Sequence, residues 1–346
     1  MEEREKASLK STGRILLAHG AGGKLGHQLV ADEILPLFSN PILARMDDSA
    51  ILEIEGFRLA FTSDSYVVDP LFFPGGDIGR LAVCGTVNDL SMGGAKPLYL
   101  SLSLILEEGF PVEDMTRILL SSRRAADEAG VQIVTGDTKV VGKGGVDKIF
   151  LNTSGIGLIP DRRVLASGHN ARSGDQVILS GYLGDHGIAV ISQREGIFWG
   201  EEIHSDVAPL NGLVEDIFRA SQEVHALRDP TRGGLASALN EIARQSRVGI
   251  VLEESNIPIR EPVRGACELL GLDPLYVANE GKLVAIVGRD AASDILEAMR
   301  KNPLGQRAEI IGEIVENPKG KVLLKTRIGG TRVVDMLAGE PLPRIC

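Results

Sequence analysis

A polar, glycine-containing stretch at 160–175, PDRRVLASGHNARSGD, divides the chain into two halves that each alternate strand-like and helix-like segments. In the first half, apolar spacing predicts a helix over 27–38, two strands within 44–67 joined at Glu55 and Gly56, and a helix over 76–95. A strand at 97–106, a helix at 112–130 and strands at 131–141 and 148–159 follow. GRILLAHGAGGKLG at 13–26 reads as a short apolar strand running into a glycine-rich loop. The second half interleaves strands at 176–181, 249–254, 283–288 and 308–314 with helices at 187–195, 208–221, 233–246, 262–271 and 290–300. This order predicts an α+β fold of two domains, each a mixed sheet with helices on one face. The expected division is an N-terminal segment over 1–44, a first domain over 45–160, a second over 171–318 and a closing segment over 319–346. That last segment begins strand-like and turns Pro-rich after Gly339. Pro341 and Pro343 predict an extended, flexible tail, and Glu340 to Cys346 would reach at most about 25 Å.

Composition narrows the function. The 41 glycines in 346 residues, about 12% against a typical ~7%, show no period and point to tight turns and backbone-lined sites. A net charge of −10 argues against a nucleic-acid partner. The opening MEEREKASLK lacks the apolar core of a signal peptide, and no apolar run is long enough for a bilayer, so no membrane role is expected. Cys84, Cys267 and Cys346 are too widely spaced for zinc or a disulfide framework, which suits a reducing cytoplasm.

Aspartates recur at strand ends and turns of the first half: Asp47 and Asp48 in MDDSA, Asp64 in TSDSY, Asp89 in VNDLS, Asp137 in TGDTK. One alone reads as a turn former. Several converging turns offer the hard oxygen ligands that Mg²⁺ needs, with nucleotide phosphate completing its shell. Lys139 lies two residues after Asp137, on the same face of a strand, which suits a phosphate chain bridged by metal and neutralised by lysine. Gly22 and Gly23 in GAGGK are candidate phosphate contacts through backbone N–H groups, although Leu25 stands where a Walker A loop needs Ser or Thr.

Two second-half motifs stand out. LRDPTRGGLASAL, with Asp229, Pro230 and Thr231, reads as helix initiation. NEGK at 279–282 puts Glu280 in a polar turn, either on the surface or delivering a general base or metal ligand to the cleft. The six histidines show no ligand spacing, and Cys84 and Cys267 read as small core residues. Cys346, a thiol at the last position, reads as a candidate substrate carried by the chain itself.

The run TSDSYVVDPLFFPGGDIGRLAVCGTVNDLSMGGAKP, with GDTKVV, RDPTRGG, NEGK and PRIC in order, resembles the HypE family of hydrogenase maturation factors over nearly the whole chain. Single motifs such as GDTK mark only the wider superfamily of aminoimidazole ribonucleotide synthetase, selenophosphate synthetase and thiamine monophosphate kinase. The resemblance implies a PurM-like (AIR synthetase-like) pair of domains and an ATP-dependent carbamoyl dehydratase. A HypF-type carbamoyltransferase would load Cys346, and the chain would convert the thiocarboxamide to a thiocyanate. A HypC–HypD complex would then accept cyanide for the iron of [NiFe]-hydrogenase. The resemblance also implies a homodimer built around the first domains, with ATP near their interface. Carried over, Asp48, Asp64, Asp89 and Asp137 would hold metal and nucleotide, Lys139 would contact phosphate, and Glu280 would be the base. Two other readings remain open: a cyano or carbamoyl carrier with regulatory nucleotide binding, and a superfamily kinase or synthetase in which Cys346 is incidental.

Overall fold

The computed structural model describes residues 13–199, 203–337, 339 and 342–346. The first sheet is centred on Phe57–Tyr66, which pairs antiparallel with Ala50–Ile54 on one side and Ile149–Ile159 on the other. Glu55 and Gly56 join the first two strands with φ of 49° and 87°, the pair of left-handed residues that a tight two-residue hairpin requires. Ile149–Ile159 pairs antiparallel with Lys96–Glu107, whose far edge carries Gln132–Thr135 and Thr138–Val141, both parallel to it.

Burial alternates along Ile149–Ile159, so this sheet has one covered face. The Ile78–Met92 helix lies against that face, and Val112–Ala129 packs on the helix. Asp77 starts Ile78–Met92 by accepting hydrogen bonds from the N–H groups of Gly79 and Arg80 at 2.8 and 3.1 Å. Gly85 is required within it, because a Cβ there would run into the Tyr66 hydroxyl. The opposite face is bare and carries exposed Phe61, Tyr99, Ile105 and Ile156 around a belt of Ser63, Ser101, Asn152 and Ser154.

The second sheet orders its strands Val224–Arg228, Val284–Val287, Gln176–Leu179, Glu309–Val315, Gly249–Glu253, Lys321–Lys325 and Thr331–Val334. Its one parallel pair is Gly249–Glu253 with Lys321–Lys325. Here the expectation of helices on one face fails. Val177 and Leu179 pack with the Gly234–Gln245 helix, while Ile178 packs on the other face with Asn211–Ala220 and Ala292–Lys301. The reason is visible in Val284–Val287, where all four residues are apolar and buried.

Two local expectations also fail. Leu17–Gly20 is a 3-10 turn and not a strand, because the Leu16 N–H is taken locally by His19 Nδ1 at 2.8 Å. Val224–Arg228 was not expected as a strand, since His225 and Arg228 interrupt its apolar run; both are buried there on acidic partners. The helical region over 24–38 is present, as Lys24–Gln28, Leu29–Ile34 in π form and Leu35–Phe38.

The halves share a core. The cluster beneath the first sheet continues into Ile188, Ala189 and Val190 of the Asp185–Glu195 helix, into Cys267, and into Leu342 and Ile345. Cys84 and Cys267 are buried, and burial pushes both thiols up to about 12, as inert core residues should behave. Among the described residues, no helix is long and apolar enough to cross a membrane.

Candidate functional site between the two domains

A cavity of about 230 Å³ opens where the domains meet. Gly22, Asp48, Asp64 and Asp89 line it from the first half, and Arg228, Asp229, Thr231, Arg232, Ser237 and Glu241 from the second. The hairpin strand Phe57–Tyr66 delivers Asp64, and the penultimate turns of the buried Ile78–Met92 helix deliver Asp89. Thr62 Oγ1 donates to Asp89 Oδ2 at 2.9 Å.

This is a crowd of carboxyl groups short of cations. Burial holds the Asp89 carboxyl well above its ordinary range, and repulsion from Asp64, Asp229 and Asp48 adds to it. Asp64 is raised by burial, and its Oδ2 is buried without a partner. Asp229 is raised by burial and by Asp48, and its Oδ2 is buried without a partner. Asp48 is pushed up to about 6 by burial, against the pull of Arg228. Arg228 itself is fixed between Asp48 and Glu241, the latter at 3.4 Å, and Glu241 also takes His27 Nε2 at 2.7 Å.

Glu280 is not on the surface. It is buried, its Oε1 has no partner, and burial with repulsion from Asp229 and Asp206 raises its pKa far above the carboxylate range. Gly22 adopts φ of 66° against the Arg232 backbone, where a Cβ would come within 2.7 Å of the Arg232 carbonyl oxygen. Gly23 lies against Leu337 and is absent from the cavity wall.

The chain's last residues are docked beside this cavity. Leu342 and Ile345 are buried in a small apolar pocket with Ala21, Gly233, Tyr276 and Ala278, and Arg232 lines both this pocket and the acidic cavity. The tail is turned here and not extended, because Arg344 adopts φ of 51°. Arg344 Nε donates to the Val67 carbonyl at 2.8 Å, and its guanidinium pairs with Asp147. The Asp69 and Val67 N–H groups donate to the carbonyls of Arg344 and Cys346 at 3.2 and 3.1 Å. Glu340 and Pro341 lie outside the described residues. The positive charge of Arg232 is favoured first by Cys346 and then, against the cost of burial, by Glu280 and Asp64.

Asp137 and Lys139 are not brought to the cavity within this chain. They pair with each other at 2.7 Å on the exposed edge of the first sheet, where Lys139 holds the Asp137 carboxyl below its usual range. The physical reason is lateral distance: Asp64 registers with Thr153, Thr153 with Leu102, and Gly136 lies beyond Leu102. Three strand spacings amount to about 14 Å. Among the described residues, no group of three or more His, Cys, Asp or Glu side chains is preset as a metal site.

Sequence reasoning missed Arg228, Asp229, Arg232, Ser237 and Glu241. RDPTRGG was read as helix initiation, yet the Gly234–Gln245 helix has no side-chain cap, and Asp229 faces the cavity. Three charges within five residues ahead of a double glycine were the available signal.

Comparison with known proteins follows the same lines. Residues 46–159 match the family described as AIR synthase related protein, N-terminal domain, and residues 172–325 its C-terminal domain. The chain is 53% identical to the carbamoyl dehydratase HypE of Cupriavidus necator, over 97% of this chain and 95% of that one. A HypE–HypF complex contains a chain that superposes with a TM-score of 0.85 at 50% identity, covering 89% of this chain and 99% of that one. HypE in complex with ATP superposes with a TM-score of 0.81 at 48% identity, covering 96% and 100%.

Proposed function

Since this chain belongs to the HypE carbamoyl dehydratases of the AIR synthase related family, we propose that it uses ATP to dehydrate a carbamoyl group carried on Cys346, leaving a thiocyanate. The cyano group then serves the iron of [NiFe]-hydrogenase. The observation that carries this reading is the docked tail: Arg232 lines both the tail pocket and the carboxylate cavity. A substrate borne on Cys346 would therefore meet a phosphate chain held by the aspartates.

The carboxylates fit magnesium-bound ATP. Asp64 and Asp229 each leave a buried oxygen without a partner, and the cluster's raised pKa values report charge that a cation would relieve. Asp48, Asp64 and Asp89 would hold the metal with phosphate oxygens completing its shell, as Mg²⁺ prefers, so no preset cage of three carboxylates is needed. Gly22 would contact phosphate through its backbone. Bound there, magnesium ATP supplies the phosphoryl group that makes the carbamoyl oxygen able to leave.

The carbamoyl oxygen attacks the γ-phosphorus and the bond to ADP breaks. The nitrogen gives up two protons, one to Glu280 and one to solvent, the carbon–oxygen bond breaks as phosphate leaves, and the carbon–nitrogen bond becomes triple. Arg232 would hold the carbamoyl oxygen and the charge that develops on it. Glu280 would take an N–H proton: its raised pKa makes its carboxylate a stronger base, and a cation beside Asp229 favours that ionised form.

A HypF-type carbamoyltransferase is the proposed donor, in keeping with the relative crystallised with HypF, and a HypC–HypD complex the acceptor. A second copy would cover the bare face of the first sheet, where Phe61, Tyr99, Ile105 and Ile156 are exposed. Asp137 and Lys139 stand beside that face, so a homodimer would set them at an interface. The proposed setting is the cytoplasm.

The test is the intact mass of the peptide containing Cys346 after incubation with a HypF-type partner, carbamoyl phosphate and magnesium ATP. The carbamoyl mass should appear and then lose one water. Cyanation of a Cys346→Ala variant would overturn the reading.

A further inference from the structure

The turn Pro74-Gly75-Gly76 and the NEGK motif lie on either side of one segment, residues 203–208. The Ser205 N–H donates to the Pro74 carbonyl at 2.8 Å. A Cβ on Gly75 would come within 2.7 Å of the Ser205 carbonyl oxygen, and one on Gly76 within 2.7 Å of Val207. From the other side, a Cβ on Gly281 would run into the carbonyl oxygen of Asp206. Three glycines in two motifs therefore let this segment pass between the domains.

Each end of the segment meets one half of the chemistry. His186 is buried edge-on to Phe73, and burial holds its imidazole below the usual range, so it is neutral. Its Nε2 lies 2.8 Å from the Ile345 carbonyl, which can only accept, so Nε2 carries the proton and Nδ1 accepts from Ser205 Oγ at 2.8 Å. Ser205 Oγ in turn accepts from the Val207 N–H at 3.1 Å. One residue on, Asp206 Oδ1 accepts from the Glu280 N–H at 3.0 Å, and Lys282 Nζ sits 3.2 Å from Asp206 Oδ2 with both side chains nearly buried. The Glu280 carbonyl accepts from the Ala208 N–H at 3.3 Å and faces the Asn88 amide.

We propose that residues 203–208 form a positioning strap: His186, through Ser205, seats the tail at one end, and Asp206, backed by Lys282, seats Glu280 at the other. Neither His186 nor Asp206 is a reacting group. The strap ties docking of residues 342–346 and placement of Glu280 to one short segment, with a separate set of hydrogen bonds at each end. The Glu280 half of this inference rests on the dehydratase reading; the tail half does not.

The experiment uses the full chain with two readouts. The first is the rate at which iodoacetamide alkylates Cys346 without nucleotide, read by peptide mass; Cys84 and Cys267 are buried and do not compete. The second is single-turnover dehydration of carbamoylated protein, alongside the Kd for magnesium ATP. Ser205→Ala, which removes one oxygen and little packing, should raise the alkylation rate about tenfold, and His186→Ala should do so too. Asp206→Ala should leave alkylation and the Kd within about twofold and slow dehydration roughly 10- to 100-fold. Asp206→Asn should recover part of that loss, since its side-chain oxygen still accepts from Glu280. Wild-type alkylation in Ser205→Ala, or wild-type dehydration in Asp206→Ala, would overturn the strap. A wild-type chain that never gains the cyano mass would instead sink the dehydratase reading, and the alkylation arm would still decide the tail half.

Discussion

His186 Nε2 and the Ile345 carbonyl oxygen are 2.8 Å apart, so a buried residue at the start of the second domain's first helix holds the chain's last segment in place. That contact, with the bonds from Arg194 to the Arg344 carbonyl and from Arg344 to the Val67 carbonyl, seats Ile345 in the apolar pocket whose Arg232 also lines the carboxylate cavity. The consequences are measurable.

Arg232→Gln should slow phosphate release from carbamoylated protein by about 100-fold, the scale for losing one donor to developing oxyanion charge. Arg232→Lys should recover only part, because a lysine cannot reproduce the fork that also donates to the Gly20 carbonyl at 2.9 Å. Full activity in Arg232→Gln would remove Arg232 from the reaction.

Asp89→Asn should abolish ATP turnover while raising Tm near neutral pH. The folded-state pKa of Asp89 lies above 3.8, its unfolded value, so the folded chain binds the proton more tightly. That stabilisation is complete below pH 3.8 and is lost as pH rises through the folded value. Asp48 repeats the pattern between 3.8 and about 6. Magnesium ATP should therefore raise Tm more at pH 8 than at pH 5. Unchanged phosphate release, or a lowered Tm at pH 7, would count against the site.

Lys139→Ala should leave Tm unchanged, since the side chain is exposed and its pair with Asp137 is worth little to stability. It should nevertheless abolish turnover. If a second copy supplies this pair, mixed dimers of Lys139→Ala and Cys346→Ala chains should regain cyanation on the Cys346 of the first. No recovery on mixing would place Lys139 at the site of its own chain.

Glu280→Gln keeps the shape and removes the base. Single-turnover dehydration should fall by 10²–10⁴ while the Kd for magnesium ATP stays within a few fold, and Tm at neutral pH should rise because a costly buried charge is gone. Equal loss of binding and rate would make Glu280 a ligand for metal or nucleotide.

Much of this molecule was legible in its sequence because period and turn chemistry are local. Glu55-Gly56 announced its hairpin, and apolar spacing over 76–95 announced the Ile78–Met92 helix. Asp48, Asp64 and Asp89 share a cavity because each sits at a turn or on a covered face. The failures are matters of tertiary context. Val224–Arg228 becomes a strand only because Asp175, Asp48 and Glu241 receive its buried His225 and Arg228. Asp137 carries the same signature as Asp64, yet three strand spacings separate them, a distance that no sequence pattern encodes. Arg232 was passed over because a residue inside a helix-entry motif reveals nothing about the neighbour it will meet from 114 residues further along the chain.

A thiol carried on a tail docked beside its own cleft would change the kinetic order of whatever happens there. Encounter is replaced by tethering, so the rate of the step should be first order in this chain and indifferent to dilution. Free small thiocarboxamides would compete poorly against a group already held at high effective concentration. On the proposed reaction, each molecule would fire once and then wait, its thiocyanate occupying the seat until an acceptor removed the cyano group. Throughput would then be set by the partners that load and unload Cys346, and the chain would behave in the cell as a stoichiometric intermediate.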